Sequence, residues 1–418
     1  MLSAPSSSAC CAFCDGTTMT EIIDFGRMAL AGGFLKPEQF DSEVFYPLRL
    51  CFCRNCFAVQ VIDKVSANVL FDEYFYFSSS IKTLRAHFEG YAAEVTARFL
   101  EPAKAMAIEF GCNDGVLLRP LADQKIRTVI GVDPATNVVT TIDDPRITVV
   151  NDFFNEAVAE GIVAAHGKAD IVAANNVYAH IPDIQGVTRA VRTALADDGV
   201  FIFEVHYLGK VIEELQYDMI YHEHLYYYSL LALAKHFDRY DMMVFDVKPV
   251  PIHGGSMRFY VCKKGSKHST VSPAAIALEK DERTRRYDHS DTFIRFAGQV
   301  AEHKATLMAL LTRLTHEGHT IAGYGASGRA NTMIQYCGID HRHLAYMIDD
   351  APAKAGFYTP GSHFEIHPSS ILDCPEPPDH LLIFAWSFFD EIRKRNAKYL
   401  DAGGQMILPL PRVKVVPA

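Results

Sequence analysis

Ala105-Met-Ala-Ile-Glu-Phe-Gly-Cys-Asn-Asp-Gly115 is the stretch whose reading decides the fold. An apolar run of strand length carries Glu109 near its end. A turn with Gly111 and Gly115 follows, and Val116-Leu-Leu-Arg119 then opens a helix. Glycine at these two places permits a tight turn and a close approach of the backbone to a ligand. Asn113 stands where a dinucleotide fingerprint has its middle glycine, so the form is Glu-x-Gly-x-x-x-Gly rather than Gly-x-Gly-x-x-Gly.

The segments downstream repeat the alternation of strand and helix. Thr128-Val-Ile-Gly-Val-Asp133 lies about 20 residues on and ends in an acid placed to accept from ribose hydroxyls. Ile147 to Phe154 gives a third strand, with Asp152 near where an adenine would lie. Ala169 to Asn175 gives a fourth and Gly199 to Glu204 a fifth. Such alternation predicts an α/β fold with a parallel, doubly wound sheet, and ligands bind beyond the carboxyl ends of its strands. Val244 to Val250 and Ser256 to Lys263 read as a hairpin whose turn holds His253-Gly-Gly255.

After the fifth strand comes Gln216-Tyr-Asp-Met-Ile-Tyr-His-Glu-His-Leu-Tyr-Tyr-Tyr-Ser229, the densest run of chemistry in the chain. Histidine suits proton transfer near neutral pH, a carboxylate can orient it, and tyrosine hydroxyls can donate to a developing oxyanion. Tyr221, His222, Glu223 and His224 are therefore site candidates. His180 and Glu204 follow the fourth and fifth strands on the same edge, and His253 joins them from its glycine turn.

At the N-terminal side, Cys11-Ala-Phe-Cys14 and Cys53-Arg-Asn-Cys56 are two Cys-x-x-Cys pairs. Each can present two thiolates to one tetrahedral ion, and four thiolates leave no open position for catalysis. This favours a structural zinc and a small metal-stapled domain. Cys10 and Cys51 are the spares. Phe71 to Ser80 is aromatic and then hydroxyl-rich, and reads either as a packed linker or as a lid carrying Tyr76 into a site.

The C-terminal part begins with charged helical sequence, of which Leu278 to Arg286 reads as a solvated face. His319-Thr-Ile-Ala-Gly-Tyr-Gly-Ala-Ser-Gly328 then gives a strand and a complete Gly-x-Gly-x-x-Gly, followed by a helix from Arg329 and, further on, a strand ending in Asp349. A helix N-terminus takes a phosphate through free amides, so Gly325, Ser327 and Arg329 are candidate contacts.

With 418 residues the chain is long enough for several domains, and the divisions read as 1–78, 79–264 and 265–418. A net charge of −10 argues against a nucleic-acid or anionic-membrane partner. No apolar run reaches the roughly 20 residues that span a bilayer, and the start lacks the pattern of a secretory signal. A cytoplasmic protein is expected, in which the ten cysteines serve as thiols or metal ligands rather than disulfides.

The layout of residues 105–133 resembles the class I S-adenosylmethionine-dependent methyltransferases. The resemblance implies S-adenosylmethionine as cofactor, held by Glu109, Gly111, Asn113, Gly115, Asp133, Asp152 and Asn175. The order of Cys-x-x-Cys pairs, this fold, Tyr221-His-Glu-His224, Pro251-Ile-His-Gly-Gly-Ser-Met-Arg258 and Gly323-Tyr-Gly-Ala326 resembles the sugar C-methyltransferases over almost the whole chain. That family acts on nucleotide-linked keto-deoxysugars in antibiotic and cell-surface polysaccharide pathways. The resemblance implies zinc at Cys11, Cys14, Cys53 and Cys56, His224 as general base, and Tyr221, Glu223, His180 and Tyr76 around the sugar. It also implies a second Rossmann-like domain that helps hold the substrate nucleotide. Methylation at carbon 3 of a 4-keto sugar, by a monomer or small homo-oligomer, is the expectation. His222 is a departure, since some relatives carry Asp there, and it joins Glu204 and His253 as a candidate substrate contact. Three other readings stay open: an NAD-dependent oxidoreductase using the C-terminal fingerprint, a zinc-bearing scaffold without activity, and a metal at His222-x-His224.

Overall fold

The structure is a computed structural model and describes residues 10–66, 69–70, 78–80 and 82–416. Three sheets organise it. The first is antiparallel and follows the order β1 (Met19–Ala29), β2 (Phe45–Cys53), β3 (Val59–Val61), with a fourth strand added from far along the chain.

The second sheet draws on β4 (Met106–Phe110), β5 (Thr128–Val132), β6 (Ile147–Val150), β7 (Ala169–Asn175) and β8 (Leu195–His206). All five residues of β4 are buried, as a central parallel strand covered on both faces requires. After β9 (Tyr226–Tyr227), strands β10 (Met242–Val250) and β11 (Ser256–Lys263) form the antiparallel hairpin that closes the sheet against β8, giving the order β10-β11-β8-β7-β4-β5-β6. The third sheet contains β12 (Ile321–Tyr324), β13 (Met347–Asp349), β14 (Ile366–Pro368), β15 (His380–Ile383), β16 (Gln405–Leu408) and β17 (Lys414–Val416). Its order is β14-β13-β12-β15-β16-β17, parallel except for the last strand. The fold is therefore α/β, with a methyltransferase-type Rossmann-like sheet between a small cysteine-bearing domain and a second Rossmann-like sheet.

The strand added to the first sheet is β9. Val59 pairs with Tyr227 and Gln60 with Tyr226, so the tyrosine run that follows β8 is sewn into the N-terminal sheet. The C-terminal domain closes on the same place. Its helix Gly328–Cys337 sends Asn331 Nδ2 to the carbonyl of Ala29 at 3.0 Å and the Thr332 hydroxyl to the carbonyl of Ile220 at 3.0 Å. The central histidine-bearing stretch thus lies where the three parts meet. Among the described residues, no helix is long and apolar enough to cross a membrane.

One expectation fails locally. Leu278 to Arg286 lies on the helix Pro273–Thr284 and just beyond it, and it is exposed except at Leu278, which is half-buried, and Glu282, which is fully buried. The Glu282 carboxylate accepts from the amides of Leu230 and Leu231 at 2.8 and 2.9 Å and from the Tyr207 hydroxyl at 3.0 Å. It supplies acceptors to the free amides that open the helix Leu230–Asp238. Burial pushes its pKa up to about 7. Replacing Glu282 with Ala strands these three buried donors. A loss of about 1–3 kcal/mol is expected, read as a lower urea midpoint at unchanged slope.

Candidate active site

The carboxyl ends of β4, β5 and β7 form one side of the site. Gly111 has φ +64°, and a Cβ there would fall 2.5 Å from the Val177 side chain, so backbone sterics and packing both demand glycine. Gly115 has φ +77° beside Ile142. Glu109 is buried. Asn175 Nδ2 donates to its Oε1 at 2.9 Å, while Glu109 Oε2 and Asn175 Oδ1 have no protein partner. Burial pushes the Glu109 carboxyl up to about 8. Asp133 is oriented by the amides of Asn113 and Ala135, each at 2.9 Å. Burial raises its pKa as well.

Two cofactor candidates differ from expectation in their surroundings. Asp152 is exposed and accepts from the amide of its neighbour Phe153 at 2.7 Å. Asn151, not noticed in the sequence, is the residue that touches the Asp133 backbone, with Nδ2 2.8 Å from its carbonyl. Asn113 Oδ1 and the Asp114 carboxylate accept from the amides of Ser78 and Ser79, which ties the residues after the aromatic segment across the glycine turn. Tyr76 lies outside the described residues.

Beyond β7 and β8 four imidazoles gather. The rings of His180 and His224 are 5.0 Å apart, those of His206 and His224 6.2 Å, and those of His206 and His253 6.5 Å. His224 Nδ1 lies 2.8 Å from the carbonyl of Met219. A carbonyl only accepts, so Nδ1 carries the proton and Nε2 the lone pair. The Tyr221 hydroxyl donates to that lone pair at 2.8 Å. Burial, then the neighbouring His180 and His206, holds the His224 pKa well below the ordinary imidazole value. Burial lowers His180 to about 4 and His253 to about 4. His206 falls to about 3 by burial and the charge of Arg329.

Three candidates point elsewhere. His222 is almost fully buried, but its Nε2 donates to the carbonyl of Pro47 on β2 at 3.2 Å, with Tyr46 edge-on. It braces the N-terminal sheet, and it shares no metal-binding side with His224. Glu204 is fully buried between Arg258 Nε at 2.6 Å and His87 Nε2 at 2.8 Å. Arg258 itself is buried on the Tyr91 ring, so Glu204 serves a structural ion pair and is not open to substrate. Ser327 Oγ caps its own helix by accepting from the Ala330 amide at 3.3 Å. Gly325, at φ +96°, would place a Cβ 2.7 Å from Ala385 and is needed for the turn.

Glu223 lies beside Gly32 of the N-terminal domain, and burial pushes its carboxyl up to about 7. Arg329 reaches out of the C-terminal domain to Asp218 Oδ2 at 2.9 Å and stacks over Trp386. Asp349, which a dinucleotide ribose would need, already accepts from Lys354 at 3.0 Å and from the Ala351 amide at 2.8 Å. His206, Asp218 and Trp386 escaped the sequence reading. For His206 a signal existed: it stands two residues past Glu204, on the same face of β8 at its carboxyl end.

The four candidate cysteines do come together. Cys11 and Cys56 Sγ are 3.4 Å apart, Cys14 and Cys53 Sγ 3.7 Å, and all four sulfurs lie within 4.8 Å of one another. A tetrahedral zinc at about 2.3 Å from each sulfur sets neighbouring sulfurs roughly 3.8 Å apart, so the set fits such an ion. Gln60 Nε2 and Asn55 Nδ2 point at Cys11 and Cys14 Sγ at 3.0 and 3.3 Å, as donors to thiolates do.

The chain matches family models for a zinc binding domain over residues 11–71, a methyltransferase domain over 84–245 and a C-methyltransferase C-terminal domain over 251–411. It is 31% identical to the C-methyltransferase NovU of Streptomyces niveus over 98% of this chain and 97% of that protein. The chain belongs to the C-methyltransferase family. A ubiquinone biosynthesis O-methyltransferase from Methylobacterium sp. (strain 4-46) is 33% identical over 22% of this chain and 38% of its own. Magnesium protoporphyrin IX methyltransferase from Synechocystis PCC 6803, with bound SAM, superposes at a TM-score of 0.33 with 14% identity, covering 43% of this chain and 79% of that one.

In this C-methyltransferase the depressed histidines have a direct readout. A base whose folded-state pKa is lowered contributes stability that is present above its ordinary value, roughly 6.5, and lost as the pH falls. In ¹⁵N-histidine NMR, His180, His206 and His253 are expected to remain neutral down to about pH 5. Protonation of any of them above about pH 6 contradicts their burial.

Proposed function

We propose that this S-adenosylmethionine-dependent C-methyltransferase methylates the carbon next to the keto group of a nucleotide-linked deoxysugar, at carbon 3 of a 4-keto sugar. The observation that carries this reading is the state of His224. It is a neutral imidazole with its proton fixed on Nδ1 and its lone pair turned toward Tyr221, placed beyond the strand ends that carry the cofactor residues.

The unpaired acceptors on Glu109 and Asn175 suit the donor-bearing methionine part of S-adenosylmethionine, and Asp133 suits its ribose. S-adenosylmethionine supplies an electrophilic methyl group. His224 Nε2 takes the proton from the carbon adjacent to the ketone, and the electron pair moves onto carbon and the ketone oxygen. The Tyr221 hydroxyl shifts from Nε2 as substrate enters and donates to that oxygen. A histidine of depressed pKa is a weak base, so the enolate must be stabilised for the proton to leave. Glu223, with a pKa pushed up to about 7, borders the site from the N-terminal side and orients it. His180 keeps the His224 ring in place.

Residues 1–78 act as a zinc-stapled unit held by Cys11, Cys14, Cys53 and Cys56. Residues 79–264 carry the chemistry, and residues 265–418 hold the substrate nucleotide. Lys354 on Asp349 weighs against a dinucleotide in the C-terminal fold.

Mass spectrometry with labelled S-adenosylmethionine and a panel of nucleotide-keto-sugars tests the activity. Product methylated at carbon 3 of a 4-keto-deoxysugar is expected, and none from any member refutes it. His224→Asn should slow exchange of the substrate proton with deuterated solvent by about 10²–10⁴-fold; exchange at the wild-type rate removes His224 as base. One zinc per chain is expected by elemental analysis, with a lower melting temperature after chelation or in Cys53→Ser.

A further inference from the structure

Among the described residues, four buried polar atoms without a partner belong to one small region: His206 Nε2, Gln216 Oε1, Asp218 Oδ1 and Arg329 Nη2. Contacts run continuously through it. His206 faces His253, and the adjoining Gly254 carbonyl accepts from Gln216 Nε2 at 2.8 Å. A Cβ on Gly254 would lie 3.6 Å from Trp386. Trp386 Nε1 donates to Asp218 Oδ2 at 2.9 Å, and Arg329 Nε donates to the same oxygen at 2.9 Å. The guanidinium lies 4.5 Å from the Trp386 ring centroid, and Nη1 is 3.4 Å from the Ser387 hydroxyl.

Burying a guanidinium nitrogen and a carboxylate oxygen without partners is costly, and native structures retain such groups where a ligand meets them. The set is also particular. Arg329 Nη2 can only donate, Asp218 Oδ1 and Gln216 Oε1 can accept, and neutral His206 offers either role according to its tautomer. A negatively charged oxygen accepts from Arg329 Nη2 and from the Nε2–H tautomer of His206, and a neighbouring hydroxyl, with one proton to give, satisfies Asp218 Oδ1. The region borders the His224 cluster, since the charge of Arg329 bears on His206, His224 and His253.

Resting on the function proposed above, we infer that Arg329 and Asp218, one residue from each side of the junction between the methyltransferase and C-terminal parts, form a substrate-gripping pair: Arg329 Nη2 donates to an oxyanion of the substrate while Asp218 Oδ1 accepts from a neighbouring substrate hydroxyl. Trp386 and Asp218 Oδ2 hold the guanidinium plane for this. The oxyanion is either a phosphate oxygen or the enolate oxygen formed when His224 removes its proton, and one variant separates the two.

Arg329→Gln removes the charge and the Nη2 donor, leaving a shorter planar amide. If the oxyanion is a phosphate, its dissociation constant for inorganic pyrophosphate rises by at least about tenfold, with proton exchange at saturating substrate near wild type. If it is the enolate, pyrophosphate binding is unchanged and exchange at saturating substrate falls by about 10²–10³-fold. Asp218→Asn should raise KM for substrates bearing the neighbouring hydroxyl more than for their deoxy analogues. S-adenosylmethionine affinity and melting temperature serve as controls, and Arg329→Lys provides a folded comparison if the Gln variant is unstable. Values within twofold of wild type in both the pyrophosphate and exchange measurements overturn the inference. Arg329-dependent pyrophosphate binding in a protein that exchanges no substrate proton leaves the anion site standing and removes the sugar reading.

Discussion

Leu225 is held from both sides by its backbone. Its amide donates to the carbonyl of Ala179 at 2.9 Å, in the turn after β7, and its carbonyl accepts from the amide of Val61, at the end of β3, at 2.8 Å. His224 is the next residue back, and its ring is locked in turn by the Met219 carbonyl. Two domains therefore fix the backbone beside the proposed base, and the third adds Thr332 on Ile220. A base must sit within hydrogen-bond reach of the proton it takes, and small displacements are expensive. The cysteine domain matters to the site for this reason. It carries no catalytic group among the described residues, yet its edge strand sets where the histidine lies.

The same burial that positions the histidines determines their charge. Four partly buried imidazoles lie together with a guanidinium close by, so protonating any one is unfavourable. They remain lone-pair bearers at neutral pH, which a base requires, but they are also weak. Reaction then depends on groups that stabilise the charge left on the substrate. The unpaired nitrogen of Arg329 and the hydroxyl of Tyr221 are aligned with that need, and they enter from different domains.

Much of the site could be read along the chain because its chemistry is local. Glu109, Gly111, Gly115 and Asp133 follow from one strand, one turn and a spacing, and the structure joins them at one edge. The two Cys-x-x-Cys pairs likewise converge, since each turn brings its own two thiols together. The errors share a cause. His222 and His224 are two residues apart in a segment without regular periodicity, and only the Pro47 carbonyl of β2 reveals that His222 faces the N-terminal sheet. Glu204 stood at a strand end like a ligand contact, but Arg258 and His87, from other elements, had already claimed it. Glu282 looked like one charge among many until the amides of a distant helix were found on it.

By itself the sequence determined the fold class, the methyltransferase turn, the cysteine quartet and the stretch that carries the proposed base. Each depends on residue type at short spacing, where backbone geometry leaves few alternatives. Tertiary structure alone decided which histidines face one another, which charges are consumed in ion pairs, and that Arg329, Asp218 and Trp386 meet beside the site. Those facts depend on contacts between separate elements, such as those across the 44 positions between His180 and His224 and the 111 between Asp218 and Arg329. No local pattern encodes them, because they arise only when elements distant in the chain pack on one another.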